Sequence, residues 1–154
     1  METQFDREQM LLGQSAIEAL SGCHVAVFGV GGVGSFTAEA LARAGVGAIT
    51  LIDHDTVSLS NLNRQLVALH STIGMRKTDV MAARIRDINP DCRVTTLPVF
   101  YEPEHREDFF SLGFDYIADC IDSTRSKLDL IETAISRGIP IISSMGTGNR
   151  LDPT

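Results

Sequence analysis

The feature that most constrains this chain is a turn. Gly29-Val30-Gly31-Gly32-Val33-Gly34 follows the β-branched and aromatic run 25–28, and Val33, Phe36, Thr37, Ala40, Leu41 and Ala44 then recur at helical spacing. The segment therefore reads as strand, tight turn and helix. Gly29, Gly31 and Gly34 fit a G-x-G-x-x-G pattern, in which missing side chains permit the turn, the approach of a phosphate and close packing of helix on strand. A side chain at Gly31 would occupy the ligand's space, and Gly32 is where the helix is expected to open. That helix aims its unpaired amides, and a dipole equivalent to roughly half a positive charge, into the turn. An anion is the natural occupant. Asp53 closes the next apolar run, 48–52, about twenty residues on, where a carboxylate can accept both ribose hydroxyls. Together the two features argue for a nucleotide rather than a bare phosphate.

The rest of the chain repeats the alternation. A helix is expected over 5–20, carrying Arg7 on its solvated side, and it precedes the first strand. Further strands are expected at 93–98, 114–121 and 139–143, and helices at 75–88, 103–110 and 127–137, with Ser123 as a cap for the last. Strands alternating with helices imply right-handed crossovers. The expected fold is α/β: a Rossmann-like, doubly wound, mostly parallel sheet with helices on both faces, in one domain over 1–154. In such sheets ligands bind beyond the carboxyl ends of the strands. Gly29, Asp53 and Asp122 each stand at such an end and are expected to converge.

Two polar stretches border this expected site. Ser60-Asn61-Leu62-Asn63-Arg64-Gln65 follows the ribose carboxylate; if it forms a helical turn, Asn61 shares a face with Arg64 and Gln65. Lys77 falls in the first turn of the 75–88 helix, where a cation opposes the dipole unless an anion is there to be met.

Composition excludes some classes. The 154 residues carry 13 basic and 20 acidic side chains, a formal charge of −7, which is a poor footprint for binding a phosphate backbone, so a bound nucleic acid would need a local patch or a missing segment to supply the positive field. No run approaches the roughly 18 apolar residues of a membrane span, and the polar start is no secretory signal, so a cytoplasmic location is expected. Cys23, Cys92 and Cys120 are odd in number and include no C-x-x-C pair. They are expected to be structural thiols rather than disulfides or zinc ligands.

Gly29-Val-Gly-Gly-Val-Gly34, Asp53-His-Asp55, Ser60-Asn-Leu-Asn-Arg-Gln65, Gly74-Met-Arg-Lys77 and Asp122-Ser123 occur in this order across nearly the whole chain. In this the sequence resembles the ubiquitin-activating-enzyme-like adenylyltransferases of the ThiF and MoeB type, and Ser-Asn-Leu-Asn-Arg-Gln is the specific element. Within that family the resemblance is closest to the tRNA threonylcarbamoyladenosine dehydratase branch, through 38–45, 47–53, 86–90 and the final Leu-Asp-Pro-Thr. Members of that branch are longer, so the resemblance implies that a C-terminal portion is missing.

The resemblance implies ATP-dependent activation of a carboxylate as an acyl-adenylate, with Mg2+ as cofactor. It casts Arg64 and Lys77 as cations on the reacting phosphate and Asp122 as the metal ligand. Asp53, Asn61, Asn63 and Gln65 would meet ribose or phosphate, with Asp55, Ser60 and Ser123 as further pocket residues. Arg7 would serve the nucleotide of a partner subunit in a homodimer. The implied substrate is a modified adenosine in tRNA. Alternatives are the C-terminal carboxylate of a ubiquitin-like sulfur-carrier protein, a sulfur-transfer partnership, a nicotinamide dehydrogenase, and a non-catalytic nucleotide-binding subunit.

Overall fold

The computed structural model describes residues 3–146. Five strands, β1 (His24–Phe28), β2 (Ala48–Ile52), β3 (Arg93–Leu97), β4 (Tyr116–Asp119) and β5 (Ile141–Ser143), form one sheet in the order β3-β2-β1-β4-β5. Every pairing is parallel. Central β1 pairs with β2 and β4 so that Phe28 stands level with both Ile52 and Asp119. The carboxyl ends of these three strands therefore lie along one edge, and the winding reverses between β1 and β4. That reversal is the topological switch point where such sheets bind ligands.

Side chains of β1 alternate between two cores, as strand geometry requires. Val25 and Val27 face Ile49, Leu51, Met81 and Ile85 beneath helices α3 (Gly34–Arg43) and α4 (Lys77–Ile88). Ala26 and Phe28 face the other way, toward Tyr101, Phe109, Ile117 and Leu130 beneath α5 (Arg106–Phe110) and α6 (Thr124–Ser136). Phe28 meets Tyr101 edge-on at a centroid distance of 5.3 Å. Burial on both faces explains why 25–28 is an unbroken apolar run instead of an alternating one.

The N-terminal segment departs from the expectation of one helix. It forms α1 (Asp6–Leu12) and α2 (Gln14–Gly22), separated at Gly13, whose φ is +84°. The glycine amide still closes on the Gln9 carbonyl at 2.8 Å, but its left-handed conformation turns the chain where the apolar periodicity alone runs straight through. Helices 4 and 6 also begin at other residues than expected, Lys77 instead of Met75 and Thr124 instead of Lys127.

Candidate nucleotide site

A cleft of about 540 Å3 opens at the carboxyl edge of the sheet. Its floor is the glycine turn, whose four glycines divide into two pairs. Gly29 has φ +87°, and a Cβ there would lie 2.8 Å from the Cys120 carbonyl oxygen; one on Gly34 would lie 1.7 Å from the Gly29 carbonyl oxygen. These two let α3 and β4 press against the turn. A Cβ on Gly31 or Gly32 would have only Gln65 or Arg64 atoms near it, none closer than 3.6 Å. This second pair leaves the cleft open above the turn. The helix opens at Gly34 and not at Gly32, and the amides of Gly31, Gly32 and Val33 donate to no backbone carbonyl among the described residues.

Asp53 spans the gap between the first two strand ends. Its Oδ2 accepts the Val30 amide at 2.7 Å and its Oδ1 accepts the Asp55 amide at 2.8 Å. Each oxygen retains a lone pair for a further donor, so the carboxylate is held in place without being saturated.

Lys77 is not the surface residue that its helix-start position suggests. Its side chain is 6 % exposed, and its Nζ lies 2.7 Å from Asp55 Oδ2. The Lys77 amide also donates to the Asp55 carbonyl at 3.1 Å. Two further bonds clip the loop after β2 to the start of α4: Val57 N–H to the Met75 carbonyl and Gly74 N–H to the Val57 carbonyl, both 2.8 Å. The hydrogen bond from the Lys77 ammonium holds the Asp55 carboxyl below its ordinary range, against an opposing push from burial. Asp55 is thus the counter-ion that allows a buried ammonium to line the cleft. On its other side His54 Nε2 lies 3.2 Å from Asp55 Oδ1, with the imidazole edge-on to Phe100 at the rim.

The polar run 58–65 folds as a 3-10 turn, Leu59–Asn61, followed by one more loop of chain. Asn61 Oδ1 accepts the Ser58 amide at 3.0 Å, and the Asn61 carbonyl accepts the amides of Arg64 and Gln65 at 3.1 and 2.9 Å. Asn61, Arg64 and Gln65 all line the cleft, as their spacing predicts. Asn61 and Gln65 are buried there, and Gln65 Oε1 has no hydrogen-bond partner among the described residues. Ser60 and Asn63 do not line it. The Ser60 carbonyl and Asn63 Oδ1 each accept a bond from Arg64 Nη1 at 3.0 Å, so they orient the guanidinium from behind.

On the opposite wall, Asp122 lines the cleft with an exposed side chain. Ser123 does not line it: its Oγ donates to Ser126 Oγ at 3.2 Å, inside the first turn of α6. Arg7 is exposed on α1 and also lies outside the cleft. Cys120 lines the cleft, but burial pushes its thiol pKa up, the wrong direction for a nucleophile. All three cysteines are free.

Two rim segments of the cleft and one buried acid beneath it escaped the sequence reading. Val99, Phe100 and Tyr101 form the rim after β3, and Ser144, Met145 and Gly146 form it after β5. The carboxyl-end rule, applied to every strand instead of three, would have found both. The other omission is Asp119, which sits in the apolar run 116–121 where an acid is out of place. Its carboxylate is buried against Lys127.

The residues present suit a nucleoside phosphate with a divalent cation. The glycine turn leaves room for phosphate, the Gln65 oxygen awaits a donor, and Arg64 and Lys77 face the same space as the open carboxylate of Asp122. Asp53, His54 and Asp55 also place potential ligand atoms within 4.8 Å of one another, but these acids are engaged by backbone amides and by Lys77.

Fold and cleft together define a nucleotide-binding α/β protein with cations and carboxylates set around a glycine turn. The chain belongs to the ThiF family, which it matches over residues 5–151. It is 52% identical over 151 residues to tRNA threonylcarbamoyladenosine dehydratase of Bacillus subtilis, a match covering 98% of this chain and 59% of that protein. Its identity to the Escherichia coli protein of the same name is 47%, covering 94% and 54%. The crystal structure of E. coli tRNA N6-threonylcarbamoyladenosine dehydratase in complex with ATP matches with a TM-score of 0.93 at 45% identity, covering 97% of this chain and 62% of that one. The chain therefore spans between half and two thirds of the length of these relatives. The similarities do not favour a nicotinamide dehydrogenase, a carrier-protein activator or a non-catalytic subunit.

Proposed function

We propose that residues 1–154 form the nucleotide-binding domain of a cytoplasmic enzyme that uses ATP to activate the carboxylate of threonylcarbamoyladenosine in tRNA. The observation that carries the reading is the convergence of Gly31, Asp53, Arg64, Lys77 and Asp122 on one cleft, in a chain 52% identical to a tRNA threonylcarbamoyladenosine dehydratase. A carboxylate oxygen of the threonyl group bonds to the α-phosphorus, and the bond to the bridging oxygen breaks as pyrophosphate leaves. The neighbouring amide nitrogen then attacks the acyl carbon and loses its proton. AMP departs with the original carboxylate oxygen, so the nucleoside loses one water overall and no protein nucleophile is needed.

Negative charge grows on phosphoryl oxygens in the first step. Preorganised cations aimed at that charge stabilise the transition state, and Lys77 and Arg64 stand where they would do so. Asp53 holds the ribose, and the amides of the glycine turn meet phosphate oxygens. Asp122 would hold Mg2+, which typically takes one or two carboxylates besides phosphate oxygens and water; when bound it neutralises phosphate charge. The same cation relieves the repulsion that a bare Asp122 carboxylate would exert on the nucleotide.

A two-fold homodimer completes this reading. Met10 and Leu11 are 84% and 86% exposed on α1, where Arg7 is exposed as well. Apolar side chains so displayed are suited to burial against a second copy, which would carry Arg7 toward the opposite nucleotide. Light scattering on the full-length protein should give a dimer, and Leu11→Asp should shift it toward monomer. A fully active wild-type monomer would remove the role of Arg7 in the partner's site.

The decisive experiment incubates the full-length protein with ATP, Mg2+ and tRNA bearing threonylcarbamoyladenosine, then digests and weighs the nucleosides. A product lighter by one water, with AMP and pyrophosphate released in equal amounts, is expected. Absence of that product, together with adenylation of a carrier protein's C-terminus, would overturn the tRNA assignment.

A further inference from the structure

One buried ion pair has no part in the chemistry above. Asp119 ends β4 with its side chain wholly buried, and Lys127 reaches it from α6, Nζ to Oδ2 at 2.7 Å, with only 8% of its own side chain exposed. The ammonium also donates to the Ser144 carbonyl at 2.9 Å and to Ser143 Oγ at 3.2 Å. Ser143 Oγ in turn donates to Asp119 Oδ2 at 2.6 Å, and Asp119 Oδ1 accepts the Ile121 amide at 3.2 Å. A backbone bond of 2.9 Å from the Ser144 amide to the Asp119 carbonyl closes the cluster.

This arrangement is poorly explained as a stabilising device. Desolvating two charges is costly enough that an apolar pair of similar volume often serves stability as well or better. A cation one turn into a helix also opposes the dipole. What the pair does supply is geometry. An ammonium has three donors, and here the carboxylate that ends β4, the hydroxyl of the last residue in β5 and the carbonyl just after it take all of them. The segments so tied, 120–122 and 144–146, are the far wall of the cleft. Lys127 itself does not line the cleft.

We propose that Lys127 is a positioning residue for the nucleotide site. Through Asp119 and Ser143 it locks the segments leaving β4 and β5 together, and so holds Asp122, three residues past Asp119, toward the reacting phosphates. The role rests on the reading of the cleft as an ATP site. Its signature is a split between binding and turnover. The glycine turn on the floor and Asp53 on the other wall would bind the nucleoside monophosphate and make no hydrogen bond with Lys127, whereas a misplacement of about 1 Å at a reacting group costs on the order of a hundredfold in rate.

The test uses three variants of the full-length protein: Lys127→Met, the charge-neutral pair Asp119→Asn with Lys127→Met, and the milder Ser143→Ala. If the single Met variant fails to fold for want of a partner for Asp119, the other two carry the test. The neutral pair should keep AMP affinity within about threefold of wild type while pyrophosphate release falls by roughly ten- to a hundredfold. Amide exchange at Ile121 and 144–146 should accelerate while β1 and β2 remain protected. Ser143→Ala should move the same quantities in the same direction by less. Wild-type turnover and exchange in the neutral pair would overturn the proposal, as would parallel loss of AMP affinity, turnover and protection in β1. A wild-type protein that binds AMP but releases no pyrophosphate would count against the proposed function, and the clamp would then be judged by exchange at 120–122 and 144–146.

Discussion

The two walls of the cleft are built by different means. The wall formed by β1, β2 and the loop to α4 is held by several separate bonds: Asp53 on the amides of Val30 and Asp55, Asn61 on that of Ser58, and Lys77 in an ion pair with Asp55. The wall formed by the ends of β4 and β5 depends on a single buried ion pair and the serine beside it. A site can therefore be rigid on one side through several independent bonds. On the other it is rigid through one network centred on the buried pair of Lys127 and Asp119, which apolar periodicity does not reveal.

The largest effects should come from removing one charge from each wall. Lys77→Ala and Asp122→Ala in the full-length protein should each lower tRNA-dependent pyrophosphate release by about a hundredfold or more, the usual loss when one fixed transition-state group is removed. Melting temperature separates them. Asp122 is exposed and its loss should leave Tm unchanged. Lys77 is buried, so its alanine variant empties a packed site and strands Asp55, and Tm should fall. Equal Tm for both would show that the clip between Asp55 and Lys77 adds nothing to the fold.

Of intermediate size is a contrast within the glycine turn. Gly34→Ala places a Cβ 1.7 Å from the Gly29 carbonyl oxygen, a collision between backbone and side chain that should cost about 1–3 kcal/mol or more in urea denaturation. Gly31→Ala meets only the flexible Gln65 amide at 3.6 Å. It should leave the urea midpoint within error and weaken AMP binding by calorimetry. A Gly31 variant that binds AMP as wild type does would place the phosphate elsewhere.

The smallest effect concerns pH. The folded-state pKa of Asp55 lies below its ordinary value of 3.8, so the carboxylate contributes stability above that value and loses it as pH falls through the lower, folded one. Asp55 is 48% exposed, and solvent screening limits the contribution to about 1 kcal/mol or less. Asp55→Asn should therefore be slightly less stable than wild type near pH 6, with the gap closing below about pH 4. A gap independent of pH would mean that the carboxylate charge is not what Lys77 requires.

The sequence made the fold legible because its signals are local or periodic. Strand runs stopped by glycine or acid, helices between them, and an acid at the end of the second strand sufficed for the parallel sheet and for the convergence of Gly29, Asp53 and Asp122. Asn61, Arg64 and Gln65 were legible for the same reason, as neighbours on one turn. Periodicity misled where backbone conformation decided the outcome. Apolar spacing runs through Gly13, and only its positive φ divides the helix. Ser123 reads equally well as a pocket residue and as part of a helix start, and it joins the helix turn.

By itself the sequence determined the alternation of strands and helices, the glycine turn after the first strand, and the acid at the end of the second. Each of these is a property of residues adjacent in the chain: a missing Cβ, an alternation of apolar side chains, a polar group at a strand end. Only the tertiary structure decided that Lys77 is buried on Asp55 and that Lys127 closes on Asp119, pairs separated by 22 and 8 residues. An ion pair needs two groups within about 4 Å and, when buried, the exclusion of water around both. Neither condition is written in the spacing of the residues that satisfy it.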